Sequence, residues 1–287
     1  MLLEPDYLSR IERLSLATRA RMTGSFPGAH RSKRMGSSVD FADWREYVPG
    51  DDFRRIDYQI YARLDRLLVR LYEAEDEVSL QIVLDATSSM AFESKFETAA
   101  RLAGSLSYLA ALHGDRARVW VVDAQGIRPS PWARSRDSAA ALFDWMERIE
   151  PGGNADLPTA LRRFASAGGL RGITVLVSDL LTDEWEGTLR RIAAPGAGGA
   201  LLHVLARSEL DPALRGDLVL VDSEAQREVE VSVSDQVLRR YRERTQRWIG
   251  QVRETCRRRG LHHELVSPGD DLETLLLVRL REAGLVR

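Results

Sequence analysis

Cysteine is nearly absent. The one thiol, Cys256, excludes an internal disulfide and fits a reducing compartment. An excess of one charge is missing too. The 41 Lys and Arg against 43 Asp and Glu leave a net charge of -2, so no global field draws the chain to nucleic acid or an anionic membrane. No apolar run approaches the roughly 20 residues a spanning helix needs, so no membrane span is expected. The opening Met1-Leu2-Leu3-Glu4-Pro5-Asp6 has neither the basic leader nor the apolar stretch of a signal peptide, and a cytoplasmic location is expected. Internal repeats, low-complexity tracts and a Gly-rich phosphate loop with Lys-Ser/Thr are all missing, so any ATP hydrolysis must come from elsewhere. What remains is ordinary: 44% hydrophobic and 29% charged residues over 287 positions, room for one large domain or two modest ones.

The pattern is irregular up to residue 76 and regular from 77 onward. Residues 5–22 carry an apolar stripe at helical spacing, and 23–38 read as a Gly-, Ser- and base-rich loop. Pro49-Gly50-Asp51-Asp52 is a turn whose aspartates are placed to cap a helix bearing Phe53, Ile56, Ile60 and Tyr61. Strands are then expected at 78–85, 117–123, 173–179, 200–206 and 261–266. Helices are expected at 94–113, with Ser94 and Glu97 as a capping box, and at 136–149, 157–167, 184–193, 235–259 and 271–283. Residues 217–233 read as a hairpin insertion. Strands alternating with helices imply an α/β, Rossmann-like, mostly parallel sheet flanked by helices. Ligands of such sheets bind beyond the carboxyl ends of the strands, where strand order reverses.

Asp85-Ala86-Thr87-Ser88-Ser89 stands at the carboxyl end of the strand Val78–Leu84. A carboxylate and two hydroxyls spaced by two, with Asp179 at the end of another strand, form a set of hard oxygens suited to Mg2+. The plainer reading is an Asx-type turn in which Thr87 and Ser89 satisfy local backbone groups.

Several separated blocks carry a resemblance. Gly50-Asp51-Asp52-Phe53-Arg54-Arg55-Ile56-Asp57-Tyr58, Ala62-Arg63, Leu68-Val69-Arg70-Leu71-Tyr72-Glu73-Ala74-Glu75 and Leu84-Asp85-Ala86-Thr87-Ser88-Ser89-Met90 resemble the bacterial "domain of unknown function 58" family. The resemblance implies a family-specific N-terminal segment, here 1–76, docked on a von Willebrand A-like α/β domain, here 77–287. It also implies association with a MoxR-type AAA+ ATPase and its client protein, in an adaptor or co-chaperone role. It implies a metal-ion-dependent adhesion site as well: D-x-S-x-S, a later Thr and a later Asp. Asp85, Thr87, Ser89 and Asp179 match, whereas Ala155 in Gly153-Asn154-Ala155-Asp156-Leu157 stands where the Thr belongs. Asn154 is positioned to compensate, Asp156 reads as a helix cap, and weakened or absent Mg2+ affinity is expected. Through such an ion a partner carboxylate would dock.

Two further groups have open readings. Arg54, Arg55, Asp57 and Arg63, with Glu73 and Glu75, form either an internal ion-pair lattice or a partner surface. The Arg-rich helix 239–259 is either a solvated face with cations at its C-terminus or a scaffold surface for protein or nucleic acid, the latter being the less favoured. Catalysis is not expected. Asp85 sits like the nucleophile of haloacid-dehalogenase phosphatases, but Thr87 occupies the position of their second acid, and no nucleophile–base pair stands out.

Overall fold

The computed structural model describes residues 2–12, 41–48, 51, 53, 56–72, 79–170, 172–193, 199–221 and 228–280. The chain forms two compact units, residues 28–77 and the remainder. The first helix, α1 (Pro5–Ile11), opens on a proline, whose missing N–H is harmless in the first turn. Leu3, Tyr7 and Ile11 recur every four residues and are buried in the core of the larger unit. The Tyr7 hydroxyl lies 2.9 Å from that of Ser105. This amphipathic stripe accounts for the grouping of the first residues with the α/β unit. Residues 13–22 of the expected helix lie outside the described residues.

The smaller unit contains an antiparallel pair, β1 (Phe41–Glu46) and β2 (Leu68–Tyr72), and a short helix, α2 (Tyr58–Leu64). The cap of α2 is Asp57, whose Oδ1 accepts from the Gln59 and Ile60 N–H groups at 3.1 and 3.3 Å. Asp51, expected as a cap, accepts instead from the Val48 N–H at 2.9 Å within the preceding turn.

In the larger unit each expected strand appears. These are β3 (Ser79–Asp85), β4 (Arg116–Asp123), β6 (Ile173–Ser178), β7 (Gly199–Val204) and β10 (Leu261–Val266), with a short unexpected β5 (Gly126–Pro129). The sheet order is β10-β7-β6-β3-β4-β5, all pairs parallel except β4 with β5. Every residue of β3 is buried, as in a strand covered on both faces. One face is covered by α1, α3 (Lys95–Leu112) and α4 (Arg136–Met146), with Leu84, Leu102, Leu106 and Leu142 fully enclosed. The other carries α5 (Leu157–Ser166), α6 (Trp185–Ile192) and, after the short α7 (Arg207–Leu210), α8 (Asp235–Arg258). There the Trp120 and Phe164 rings meet edge to face at 5.3 Å. The expected hairpin is β8 (Gly216–Val221) paired with β9 (Glu228–Val233).

One expectation fails in an instructive way. The Ser94–Glu97 capping box does not form, because Glu93 and Ser94 are left-handed, with φ 44° and 59°, and no side chain caps α3. The expected helix 271–283 forms through the last described residue: α9 (Leu272–Thr274), capped by Asp271, continues as a π turn over Leu275–Arg279, and 281–283 lie outside the described residues.

Candidate functional site

Strand order reverses between β3 and β6: the chain runs from β3 outward to β4 on one side, then returns to place β6 on the other. Asp85 is the last residue of β3 and Asp179 follows the last residue of β6, so both carboxylates stand at this switch point. The structure brings together all four expected residues. Asp85 Oδ1 accepts from the Thr87 N–H at 3.0 Å and the Thr87 hydroxyl at 2.8 Å. Asp85 Oδ2 accepts from the Ser178 hydroxyl at 2.6 Å. The Thr87 and Ser89 hydroxyls lie 3.2 Å apart. Burial first, and the neighbouring Asp179 second, push the Asp85 carboxyl up to about 6.

The Gly-rich loop closes over this tip. Gly153 carbonyl accepts from the Ser88 N–H at 3.0 Å, and Gly152 N–H donates to the Ala86 carbonyl at 2.9 Å. Gly153 has φ +69°, and a Cβ there would lie 2.4 Å from the Ala124 Cβ, so only glycine fits. Ala155 packs its methyl on the hydrophobic cluster beneath. Asn154 and Asp156 are exposed, and Asp156 takes a hydrogen bond from the Thr159 hydroxyl one turn into α5. Asp156 occupies the N-cap position of α5, but its carboxylate accepts from this hydroxyl and from no backbone N–H of the helix.

Sequence reasoning missed the residue at the centre. Lys95, the first residue of α3, is wholly inaccessible to solvent. Its ammonium donates to Asp179 Oδ2 at 2.8 Å and to Glu209 Oε1 at 2.6 Å. Glu209 Oε2 accepts from the Ala206 N–H at 2.7 Å and so caps α7. Asp179 Oδ1 accepts from the Leu181 N–H at 3.1 Å across Leu180, itself left-handed at φ 53°. Left-handed non-glycine residues cost roughly 1–2 kcal/mol each. Three of them, Glu93, Ser94 and Leu180, flank this ammonium–carboxylate clasp.

A histidine pair lies behind Asp179. His203 Nε2 is 3.0 Å from the Asp179 carbonyl, and His203 Nδ1 is 3.3 Å from His263 Nε2. Burial lowers His203 to about 3 and His263 to about 4, so both rings are neutral. A carbonyl only accepts, so His203 Nε2 carries the proton and Nδ1 receives one from His263. His262 and His263 do point apart, as strand alternation requires, but His263 finds its partner on the adjacent β7.

Mg2+ demands a near-octahedral set of oxygens at about 2.0–2.1 Å. The residues here do not fit it. Both Asp85 oxygens are taken by hydroxyl and amide donors, Asp179 is held by an ammonium and an amide, and Ala155 supplies no ligand. Among the described residues, no group of three or more His, Cys, Asp or Glu side chains is arranged to hold a metal ion.

The remaining candidates are scattered. Arg54 and Arg55 lie outside the described residues, Arg63 is exposed, and Asp57 is a buried helix cap in the smaller unit. The Asp57 carboxylate therefore serves α2 and is not free for a partner. On α8 the arginines project outward, three of them paired with Asp211 or Glu254, while Ile249, Val252 and Cys256 face the core. No helix among the described residues is long and apolar enough to cross a membrane.

Comparison with known proteins adds relatives but no reaction. The chain is 27% identical over 235 residues to the uncharacterised proteins Rv1480 of Mycobacterium tuberculosis and Mb1516 of Mycobacterium bovis, covering 77% of this chain and 72% of each relative. Among solved structures it is similar to the conserved hypothetical protein BatB of Bacteroides thetaiotaomicron, at 13% identity and a TM-score of 0.42, covering 71% of this chain and 98% of that one. An aerotolerance-related membrane protein of Bacteroides fragilis gives the same identity and score. The model of the family described as "protein of unknown function DUF58" matches residues 43–249, and the chain belongs to that family.

Proposed function

We propose that this protein is a non-catalytic recognition module, an adaptor or co-chaperone for a MoxR-type AAA+ ATPase, which receives its partner at the carboxyl rim of the sheet. The observation that carries the reading is the convergence of Asp85, Thr87, Ser89 and Asp179 at the β3/β6 switch point. Two large apolar side chains beside them face solvent, Phe92 at 48% exposure and Leu181 at 50%. Apolar side chains standing on a fixed polar platform suit partner recognition. A chemical role is disfavoured because the Asp85 and Asp179 carboxylates are committed to hydroxyl, amide and ammonium donors, and burial pushes the Cys256 thiol up to about 12. The ATPase partner rests on the family resemblance alone.

Biolayer interferometry against a purified MoxR-type ATPase tests this. Phe92→Ala and Leu181→Ala, both at exposed positions, should each weaken binding by about tenfold, a loss of about 1.4 kcal/mol. Unchanged affinity in both would refute recognition at the rim. The second reading is a scaffold that binds through the exposed arginines of α8, such as Arg240 and Arg244. It predicts that charge reversal there, Arg240→Glu with Arg244→Glu, abolishes binding and that added salt does the same.

A further inference from the structure

We propose that the Lys95 ammonium is a built-in replacement for the divalent cation at this rim, so that the site is organised by the chain's own charge and excludes metal. The inference rests on the reading of the rim as a recognition point only for its functional meaning; its geometry stands alone.

Opposite charge is the first requirement of any group that settles between carboxylates meeting at a strand-end crevice. Asp85 and Asp179 are both buried at the ends of the adjacent strands β3 and β6, and Asp85 Oδ2 accepts at 2.6 Å from the hydroxyl of Ser178, the residue before Asp179. Like charges so placed need a counter-charge. Lys95 supplies it from a position with no solvent access, bonded to Asp179 at 2.8 Å and to Glu209 at 2.6 Å. A buried ammonium has three donors and is costly unless they are met. Two are met by carboxylates, and the ammonium also lies 5.9 Å from the Phe92 ring centre, within reach of a cation–π attraction.

The backbone is bent to deliver this charge. Glu93 and Ser94, both left-handed, immediately precede Lys95, and left-handed Leu180 immediately follows Asp179. These conformations bring the two ends of the clasp together at an energetic cost. The cost is offset only if the pair is the organising contact of the site. A divalent ion added beside a fixed ammonium meets repulsion and finds Asp179 already engaged. The missing hydroxyl at Ala155 is therefore a secondary obstacle. Restoring it does not restore a metal site while Lys95 remains.

The consequence for recognition is direct. A metal-bridged site captures a partner carboxylate and fails under chelation. A site held by an internal ammonium keeps its shape in chelator. It presents hydroxyls, amides and apolar side chains, so the partner it suits is neutral or apolar at the point of contact and not an acidic residue seeking an open coordination position.

Mn2+ titration followed by electron paramagnetic resonance tests the inference without any partner. Site binding is counted as saturable binding that Asp85→Asn removes. The full chain and its Ala155→Thr variant should both lack it, whereas Lys95→Met, which frees Asp179 and Glu209, should gain Mn2+ affinity by at least about tenfold and a higher melting temperature in Mn2+. Saturable binding by the unaltered chain, or its appearance in Ala155→Thr, would overturn the inference. So would a folded Lys95→Met protein that stays silent. If Lys95→Met does not fold, the Ala155→Thr comparison decides: silence supports the tethered charge and binding refutes it. Loss of partner binding in Phe92→Ala bears on the recognition reading alone, so the two can fail separately.

Discussion

Removing the Lys95 ammonium should be among the more damaging single changes available at the rim, and the damage should largely vanish when its carboxylate is removed as well. Lys95→Met keeps the length of the side chain and deletes the charge. It leaves Asp179, at 1% exposure, without its charged partner, and Glu209 half-relieved because that carboxylate still reaches solvent and the Ala206 N–H. Breaking a buried pair by deleting one partner costs about 3–5 kcal/mol. Asp179→Asn alone leaves the ammonium with Glu209 and costs about 1.5–3 kcal/mol, the range for a hydrogen bond to a charged group. The double variant removes both charges together, and its cost should fall short of the sum by about 2 kcal/mol, within the range seen for directly contacting pairs. Urea unfolding followed by tryptophan fluorescence gives the four free energies. Each single variant should remain folded, given a total stability of about 5–15 kcal/mol for a domain of ordinary size. Additivity within about 0.5 kcal/mol would refute the clasp.

Three other outcomes follow from packing and titration. Cys256 is buried in α8 with its thiol pushed up to about 12, so a disulfide-exchange reagent should leave it unreacted in the native protein and titrate it fully in denaturant; rapid labelling of native protein would contradict the packing. Phe164→Ala should lower stability by about 3–5 kcal/mol in the same urea assay, because the ring is fully enclosed against Trp120. His203 and His263 fall to about 3 and about 4 in the folded chain, below their ordinary 6.5, so the unfolded chain takes up protons first and stability drops as pH falls from 6.5 toward 4. Asp85, raised to about 6 from 3.8, opposes this, its penalty easing as pH falls through 6, but two histidines outweigh one carboxylate. His203→Gln should flatten the acid limb of the melting-temperature profile, and an unaltered limb would exclude the pair as its source.

The sheet was legible because its strands are short apolar runs separated by amphipathic helices, and these periodicities survive without any tertiary information. The position of Asp85 and Asp179 was legible for the same reason, since a strand end is defined by where the apolar run stops. β5 was not, because four residues with a glycine and a proline look like turn. Lys95 was hidden by its address: a lysine in the first turn of a helix is ordinarily solvated, and nothing local marks it as buried. Ser94, one of the left-handed pair that turns it inward, stands three residues before Glu97 in a spacing that imitates a capping box, which led the expectation astray. His203 offered a fainter signal, a lone imidazole in the buried run Ala200-Leu201-Leu202-His203-Val204. Its partner His263 lies sixty residues on, and only sheet order joins them.

The outer border of the sheet on the β4 side ends in Gly126-Ile127-Arg128-Pro129, with Pro131 following two residues later. A proline offers no amide hydrogen to a newcomer, and so short a border gives a foreign chain little to zip against. Polymerisation by lengthening the sheet is therefore blocked on that flank, and a partner cannot join there as an extra strand.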